Sequence, residues 1–235
     1  VVFFETFEGC PFPFAAALES DLGIPTQVDN NINILARAEH WFGDNAGVED
    51  FTLVLVDLGL GAARYQGGQL LIGSHCIEAE LGHTKIVPEG GRPCHCGGEG
   101  CLQAYSSISA IVFAAAELAG RQRPGITHLR EALADLVPQA RTGDAAIAGL
   151  FERAGRYLGR GIANHINMQD PDRIVVLTRT RTLMELISKP FFEALHRDTL
   201  PVLRDLARVT FKELGDTSFA KGAAAMVLEQ LYQSR

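Results

Sequence analysis

A chain of 235 residues can bury a substantial core, as one large domain or as two lobes, and 47% hydrophobic with 21% charged residues is the composition of a soluble globular protein. A formal net charge of −7 excludes a general electrostatic attraction of this segment for nucleic acid, and no apolar run reaches membrane-spanning length. Five cysteines with no secretory leader point to a reducing, cytoplasmic setting, and the opening Val1-Val2-Phe3-Phe4 reads as the interior of a fold, so an amino-terminal portion is expected upstream.

Along the chain, Phe14, Leu18 and Leu22 recur at helical spacing over 14–22, and Gly23 ends the run. Ile24 to Val28 reads as a short strand leading into Asp29-Asn30-Asn31, and 32–42 turns helical until Gly43 stops it. Phe51 to Leu58 is a strongly apolar strand. Gln66-Gly67-Gly68-Gln69 is a hairpin turn with Leu70-Leu71-Ile72 as its return. Helices are predicted near 107–119 and 128–138. A long one covers about 144–168, with Ile147, Leu150, Phe151, Ala154, Leu158, Ile162 and Ile166 on one stripe. Asp170-Pro171-Asp172 breaks the chain before a buried strand at Arg173–Leu177, and helices near 182–198 and 219–233 follow. Strands alternating with helices argue for an α/β architecture.

The densest chemistry lies between Glu80 and Gln103. Glu80-Leu81-Gly82-His83 is followed by Cys94-His95-Cys96-Gly97-Gly98-Glu99-Gly100-Cys101, which places one imidazole and three thiols close together with glycines where the backbone must bend. A closed structural zinc site takes four ligands of this kind, and thiols clustered in a chain without a leader are metal ligands before they are disulfides. The predicted ligands are His83, Cys94, Cys96 and Cys101. Of the remaining histidines, His75 is not counted as a ligand, His95 is expected to point to solvent, and His40, His128, His165 and His196 are assigned surface or packing roles. Cys10 and Cys76 read as buried thiols or bystanders, Trp41-Phe42 as a packed helix end, and the last helix, with Phe219, Ala223, Met226, Val227 and Leu231, as core.

These residues carry a resemblance to the ROK family of repressors and sugar kinases, running in one order through essentially the whole chain. Its carriers are Asp29-Asn30-Asn31-Ile32-Asn33 with Glu39, the turn Leu58-Gly59-Leu60-Gly61-Ala62, Glu80-Leu81-Gly82-His83, the cysteine box ending Gly100-Cys101-Leu102, Asn167 through Val176, and Gly222-Ala223-Ala224. The resemblance implies an α/β, actin-like ATPase (ribonuclease H-like) two-lobe fold lacking the N-terminal part of its first lobe. Residues 1–30 with 218–235 would form the remainder of that lobe, and 31–217 the second lobe with the zinc site and most of a sugar pocket. It further implies sugar contacts from Asn30, Asn31, Glu80, His83 and Gln103, with His83 using one ring nitrogen on zinc and the other toward a hydroxyl.

Two departures from the family pattern bear on activity. The kinase base, an Asp, is Asn31 here, and an amide cannot accept a proton at neutral pH. A shifted register making Asp29 the base is disfavoured, because Glu39 keeps the family's spacing from Asn31. Gln103 stands where the family has Glu, either as drift at a surface contact or as a pocket retuned from anionic to amide groups. The nucleotide site is read as vestigial: Gly59 and Gly61 keep part of a phosphate turn, but Ala62, Ala63 and Arg64 follow it, and Thr178-Arg179-Thr180-Arg181 replaces the paired glycines that would face adenine. The expectation is therefore the effector body of a ROK repressor. It would bind a carbohydrate or sugar-phosphate without phosphorylating it, contact DNA through an upstream winged helix, and assemble as a homodimer or higher homo-oligomer, with no membrane partner. An active ROK sugar kinase is the alternative.

Overall fold

The computed structural model describes residues 13–233. Its strands are Phe51–Val56 (β1), Leu60–Gln66 (β2), Gln69–Leu70 (β3), Arg173–Thr178 (β4) and Arg208–Glu213 (β5). Its helices are Phe14–Leu22 (α1), Asn31–Phe42 (α2), Gln103–Ser106 (α3), Ile108–Leu118 (α4), Leu129–Arg141 (α5), Ala145–Gln169 (α6), Arg181–Asp198 (α7) and Ser218–Gln233 (α8). The readings of Val1–Phe4 and Cys10 lie outside the described residues.

The strands form one sheet in the order β3-β2-β1-β4-β5. β1 and β2, and β2 and β3, run antiparallel; β1 with β4, and β4 with β5, run parallel. Both central strands are apolar along their length because both faces of the sheet are covered. With a side-chain period of two, Val54, Val56, Ile174 and Val176 face a core completed by α4 to α7, while Phe51, Leu53, Leu55, Val175 and Leu177 face α2. Each large side chain fully buried in these layers contributes roughly 1.5–3 kcal/mol. The long helix α6 docks on α7 through glycines: a Cβ at Gly155 or Gly159 would collide with the carbonyls of Ile187 and Phe191. Asp144 caps α6, accepting from Ala146 N and Ile147 N, and Thr180 caps α7.

The structure departs from the expected elements in four places. Ile24–Val28 carries no strand pairing among the described residues, and Ile24 is exposed. The apolar strand stops at Val56, and Leu60-Gly61-Ala62 is already the return strand, so the glycine-rich segment is a turn at 57–59 rather than a strand end. The partner after Gly67-Gly68 is only Gln69–Leu70. β5 was not expected at all: Arg208-Val209-Thr210-Phe211-Lys212-Glu213 is an edge strand, and its charges suit an edge.

Helix α8 corrects the reading of its apolar stripe. The face packed on α2 is Gly222 and Ala225, where a Cβ at Gly222 would strike the Ile34 carbonyl. Glu229 completes it, accepting from Trp41 Nε1 at 2.9 Å, Tyr65 Oη at 3.0 Å and Arg37 Nε at 2.8 Å. Ala223, Val227 and Leu231 are exposed among the described residues. Small residues bring the two backbones together and a carboxylate fixes the rotation, so Ala223, Val227 and Leu231 are turned outward, while Phe219 packs on the core as expected and Met226 is half-buried.

Candidate functional site

Four chain segments meet at the carboxyl end of β1. The turn after it, 57–59, and the start of β2 supply a backbone floor. Asn30 caps α2 through its Oδ1, which accepts from Ile32 N at 3.2 Å, and so sets Asn31 in the first helical turn. The tight 3-10 turn Leu81–His83 carries His83. Gln103 opens α3. Together they line a cavity of 340 Å³ that includes Asn30, Asn31, Gly59, Gly61, Glu80, His83 and Gln103. All five residues expected at a sugar therefore border one space, and Gly59 and Gly61 line it as well. Gly82 is required for the approach, since a Cβ there would run into the Leu60 carbonyl.

Beside this cavity the ligand atoms of His83, Cys94, Cys96 and Cys101 all lie within 4.8 Å of one another. Tetrahedral zinc with Zn–S near 2.3 Å places its sulfurs about 3.8 Å apart. Cys96 Sγ and Cys101 Sγ are separated by 3.7 Å, and Cys94 Sγ lies 3.7 Å from His83 Nδ1. The donor set and its spacing could hold a metal ion and are compatible with zinc. Its loop is built for such a load: Cys94 N donates to Gly98 O at 2.8 Å, and Gly97 and Gly100 take the left-handed φ values the turns need. The Gly98 amide lowers the Cys96 pKa, whereas burial raises that of Cys101, whose sulfur accepts from Lys85 Nζ at 3.0 Å. An ion held here would supply structural closure and fix the His83 ring. With Nδ1 toward the thiols, the His83 Nε2 is left on the cavity side, 3.8 Å from Glu80 Oε2.

Gln103 is 5% exposed, which removes the surface-contact alternative. Its Oε1 accepts from Leu60 N at 3.4 Å, and its Nε2 donates to Cys94 Sγ at 3.2 Å. An amide can donate to a thiolate where a carboxylate would repel it. The same Nε2 lies 2.9 Å from His95 Nε2; His95 is exposed, as expected, and also borders the cavity. Cys76 is exposed rather than buried, on a loop too irregular to cover it. His40 stacks on Tyr65 and His165 packs on Thr52, in line with their packing roles.

Asp29 is not available to the cavity. Its carboxylate pairs with Arg37 and accepts from Asn33 Nδ2 at 2.8 Å and Asn30 N at 2.7 Å. Glu39, a carrier of the resemblance, is a buried packing group: its oxygens accept from Asn45 Nδ2 and Lys212 Nζ, each at 2.9 Å.

Sequence reasoning missed a clamp at the mouth of the parallel strands. Asp57 follows β1 and Arg179 follows β4, so the parallel register brings them side by side. Arg179 Nη2 reaches Asp57 Oδ2 at 2.7 Å, and Arg130 Nη2, from the start of α5, reaches it at 3.0 Å. Burial alone would raise the Asp57 pKa, but hydrogen bonds and charge from the two guanidiniums outweigh it and hold the carboxyl below its usual range. The signal was Arg179 at a strand end where glycine was expected; its partner could only be named once the strands were paired.

Also missed was Glu78-Ala79, which lines the cavity next to Glu80. Ala79 and Cys76 both sit at φ +59°, a left-handed conformation that costs a non-glycine residue roughly 1–2 kcal/mol. Ala79→Gly is expected to raise stability by about 1 kcal/mol in urea titration while loosening Glu80 and weakening ligand binding several-fold. Lower stability would mean that the loop does not hold this conformation.

The fold and site together define a mixed α/β body of the actin-like ATPase class, with a metal-competent Cys/His loop beside a polar cavity. The ROK family matches residues 1–230, and the chain belongs to that family. It is 29% identical over 232 residues to a glucokinase of Halalkalibacterium halodurans, covering 93% of this chain and 68% of that protein. It is 31% identical over 212 residues to the DNA-binding transcriptional dual regulator NagC of Escherichia coli K12, covering 90% of this chain and 52% of NagC. The chain thus spans about half the length of that regulator. Among solved structures, a ROK glucokinase from Streptomyces griseus, in complex with glucose and AMPPNP, has a TM-score of 0.76 at 28% identity, covering 91% of this chain and 72% of that one. A ROK transcriptional regulator homologous to Mlc has a TM-score of 0.72 at 28% identity, covering 90% and 54%. No helix among the described residues is long and apolar enough to cross a membrane.

Proposed function

We propose that this chain is the sugar-sensing body of a ROK transcriptional regulator, binding a carbohydrate or sugar-phosphate in the cavity below His83 without phosphorylating it. The observation that carries this reading is Asn31 at the cavity wall where phosphoryl transfer needs a proton acceptor. Among the described residues the only aspartate lining that space is Asp57, and a carboxylate paired with two arginines is a poor base. The same clamp supports loss of the nucleotide site, because it bridges the crevice at the carboxyl ends of β1 and β4, where ligands enter open α/β sheets. Polar side chains suit a sugar, each hydroxyl needing a partner once desolvated.

In this reading His83, Cys94, Cys96 and Cys101 hold a structural zinc. Residues 31–217 form one lobe, and 1–30 with 218–235 belong to another. The exposed Val227 and Leu231 of α8 and Leu22 of α1, which lie in the latter lobe, support apolar surface reserved for the rest of it. The ligand biases lobe closure by binding one arrangement more tightly, and a homodimer transmits the shift to winged-helix modules on DNA.

ATP-dependent phosphorylation of glucose and N-acetylglucosamine tests the proposal. The unaltered chain, in its full-length protein, is expected to be inactive while still binding one of these sugars in calorimetry. Asn31→Asp is expected to give at most weak turnover, because the clamp still obstructs nucleotide. Robust turnover by the unaltered protein would falsify the regulator reading. The observation favouring an active sugar kinase is the presence of two carboxylates, Glu78 and Glu80, on the cavity wall.

A further inference from the structure

A second cavity, of 560 Å³, adjoins the first, and Leu58, His95 and Gln103 line both. The two spaces differ in chemistry. The first is bordered by asparagines, glutamates and histidines; the floor of the second is Leu58, Ala104, Ala110, Phe113 and Leu129. Polar groups around that floor are already engaged. Ser107 Oγ caps α4 by accepting from Ala110 N at 3.1 Å, and Ser109 Oγ donates to Leu58 O at 2.6 Å. Glu117 is taken by Arg123 at 2.6 Å and Arg92 at 3.6 Å, while the Arg123 guanidinium lies over the Phe113 ring, 5.0 Å from its centroid. Ile126 stands at the rim, 67% exposed.

A cavity of this size with an apolar floor gains from an apolar occupant. It shares a wall with the polar cavity, and the two shared polar side chains, His95 and Gln103, are hydrogen-bonded across that wall. We propose that the second cavity takes the apolar aglycone of a glycoside whose sugar ring occupies the first. This rests on the carbohydrate reading of the first cavity and narrows its ligand class from free sugars to substituted ones. The glycosidic carbon is the natural point of substitution on a sugar, and a ring bound with that carbon toward Gln103 and His95 would direct its substituent into the apolar space. Aromatic aglycones fit best, since Phe113 presents a ring and Arg123 is already placed for stacking.

The test is calorimetry on the zinc-loaded protein with glucose, N-acetylglucosamine and the 4-nitrophenyl α- and β-glycosides of each. For one sugar, a nitrophenyl glycoside is expected to bind at least tenfold tighter than the free sugar. That ratio is expected to fall toward one in Ile126→Asp, an exposed position whose change does not threaten folding, and in Phe113→Ser. If a free sugar binds and its glycosides gain nothing, the aglycone site is overturned while the carbohydrate reading stands. A gain that survives both substitutions also overturns it. Failure of every sugar and glycoside to bind overturns the carbohydrate reading and this inference with it.

Discussion

Cys101→Ser is expected to release one zinc per chain, to lower the midpoint of thermal unfolding by roughly 10 °C or more, and to abolish ligand binding. Cys101 is fully buried, and its replacement leaves a hydroxyl that does not stand in for a thiolate. The loss spreads because the chain on either side is stitched together: Leu102 N donates to Thr84 O at 2.9 Å, Ile86 N to Gly100 O at 2.9 Å, and Gly100 N to Arg92 O at 2.9 Å. These bonds tie the segment bearing His83 to the one bearing the thiols, so removing one ligand loosens both. Metal sites in zinc-finger peptides contribute about 10–16 kcal/mol of apparent binding energy. A loop scaffolded by a larger core should lose only several kcal/mol of that, which at about 2–4 °C per kcal/mol gives the stated shift. His75→Ala is the control, since His75 is not in the cluster and should keep both metal and midpoint. Elemental analysis and calorimetric scanning read the result. An unaltered protein purified without zinc, or a Cys101→Ser protein that keeps it, would remove the basis for the whole site.

What could be read in advance divides along physical lines. The long helix with its apolar stripe and the strands β1 and β4 follow local rules of period, and they stand where expected. The metal cluster was legible because its residue types and glycines are rare together. β5 was not, because its exposed charges mask the alternation that marks a half-buried strand, and only pairing with β4 fixes it. Ile24–Val28 failed for the complementary reason: local sequence favours extension, but extension becomes a strand only when a neighbour offers hydrogen bonds. The Asp57, Arg130 and Arg179 clamp is the clearest case of what spacing cannot carry. Its three residues are brought together by a parallel crossover and the start of a distant helix, and none has a partner nearby in sequence. Ala79 went unnoticed because alanine gives no sign that its backbone must turn left-handed. Gln103 could be named as a departure, but its donation to Cys94 emerges only when the metal loop folds back over α3.

Stability is expected to fall by about 3 kcal/mol as pH drops from 6.5 to 4, with His165 as the cause. This imidazole lies between the sheet and α6, its Nε2 2.8 Å from Thr52 Oγ1, and Thr52 is fully buried. Burial first, and the charge of Arg64 second, lower the His165 pKa from 6.5 to about 4. Arg64 is itself fixed by Gln169 and cannot swing away. The sign follows from proton counts. Between pH 4 and 6.5 the unfolded chain has a protonated His165 and the folded chain does not, so protons favour unfolding. The neutral ring's contribution is complete above 6.5, is lost as pH falls through this window, and levels off below 4. Each pKa unit corresponds to about 1.4 kcal/mol, which sets the size. Asp57 and Asp198 do not confound the window, because their carboxyls are lowered by their arginine partners and release their stabilisation at still lower pH. His165→Gln keeps an acceptor for the Thr52 hydroxyl and removes the titration. Urea denaturation of both proteins at pH 7.5 and 4.5, with metal held saturating, isolates the effect: the pH-dependent loss should shrink by more than half in the variant. Equal losses in the two proteins would show that His165 is neutral at no cost and that the acid sensitivity arises elsewhere.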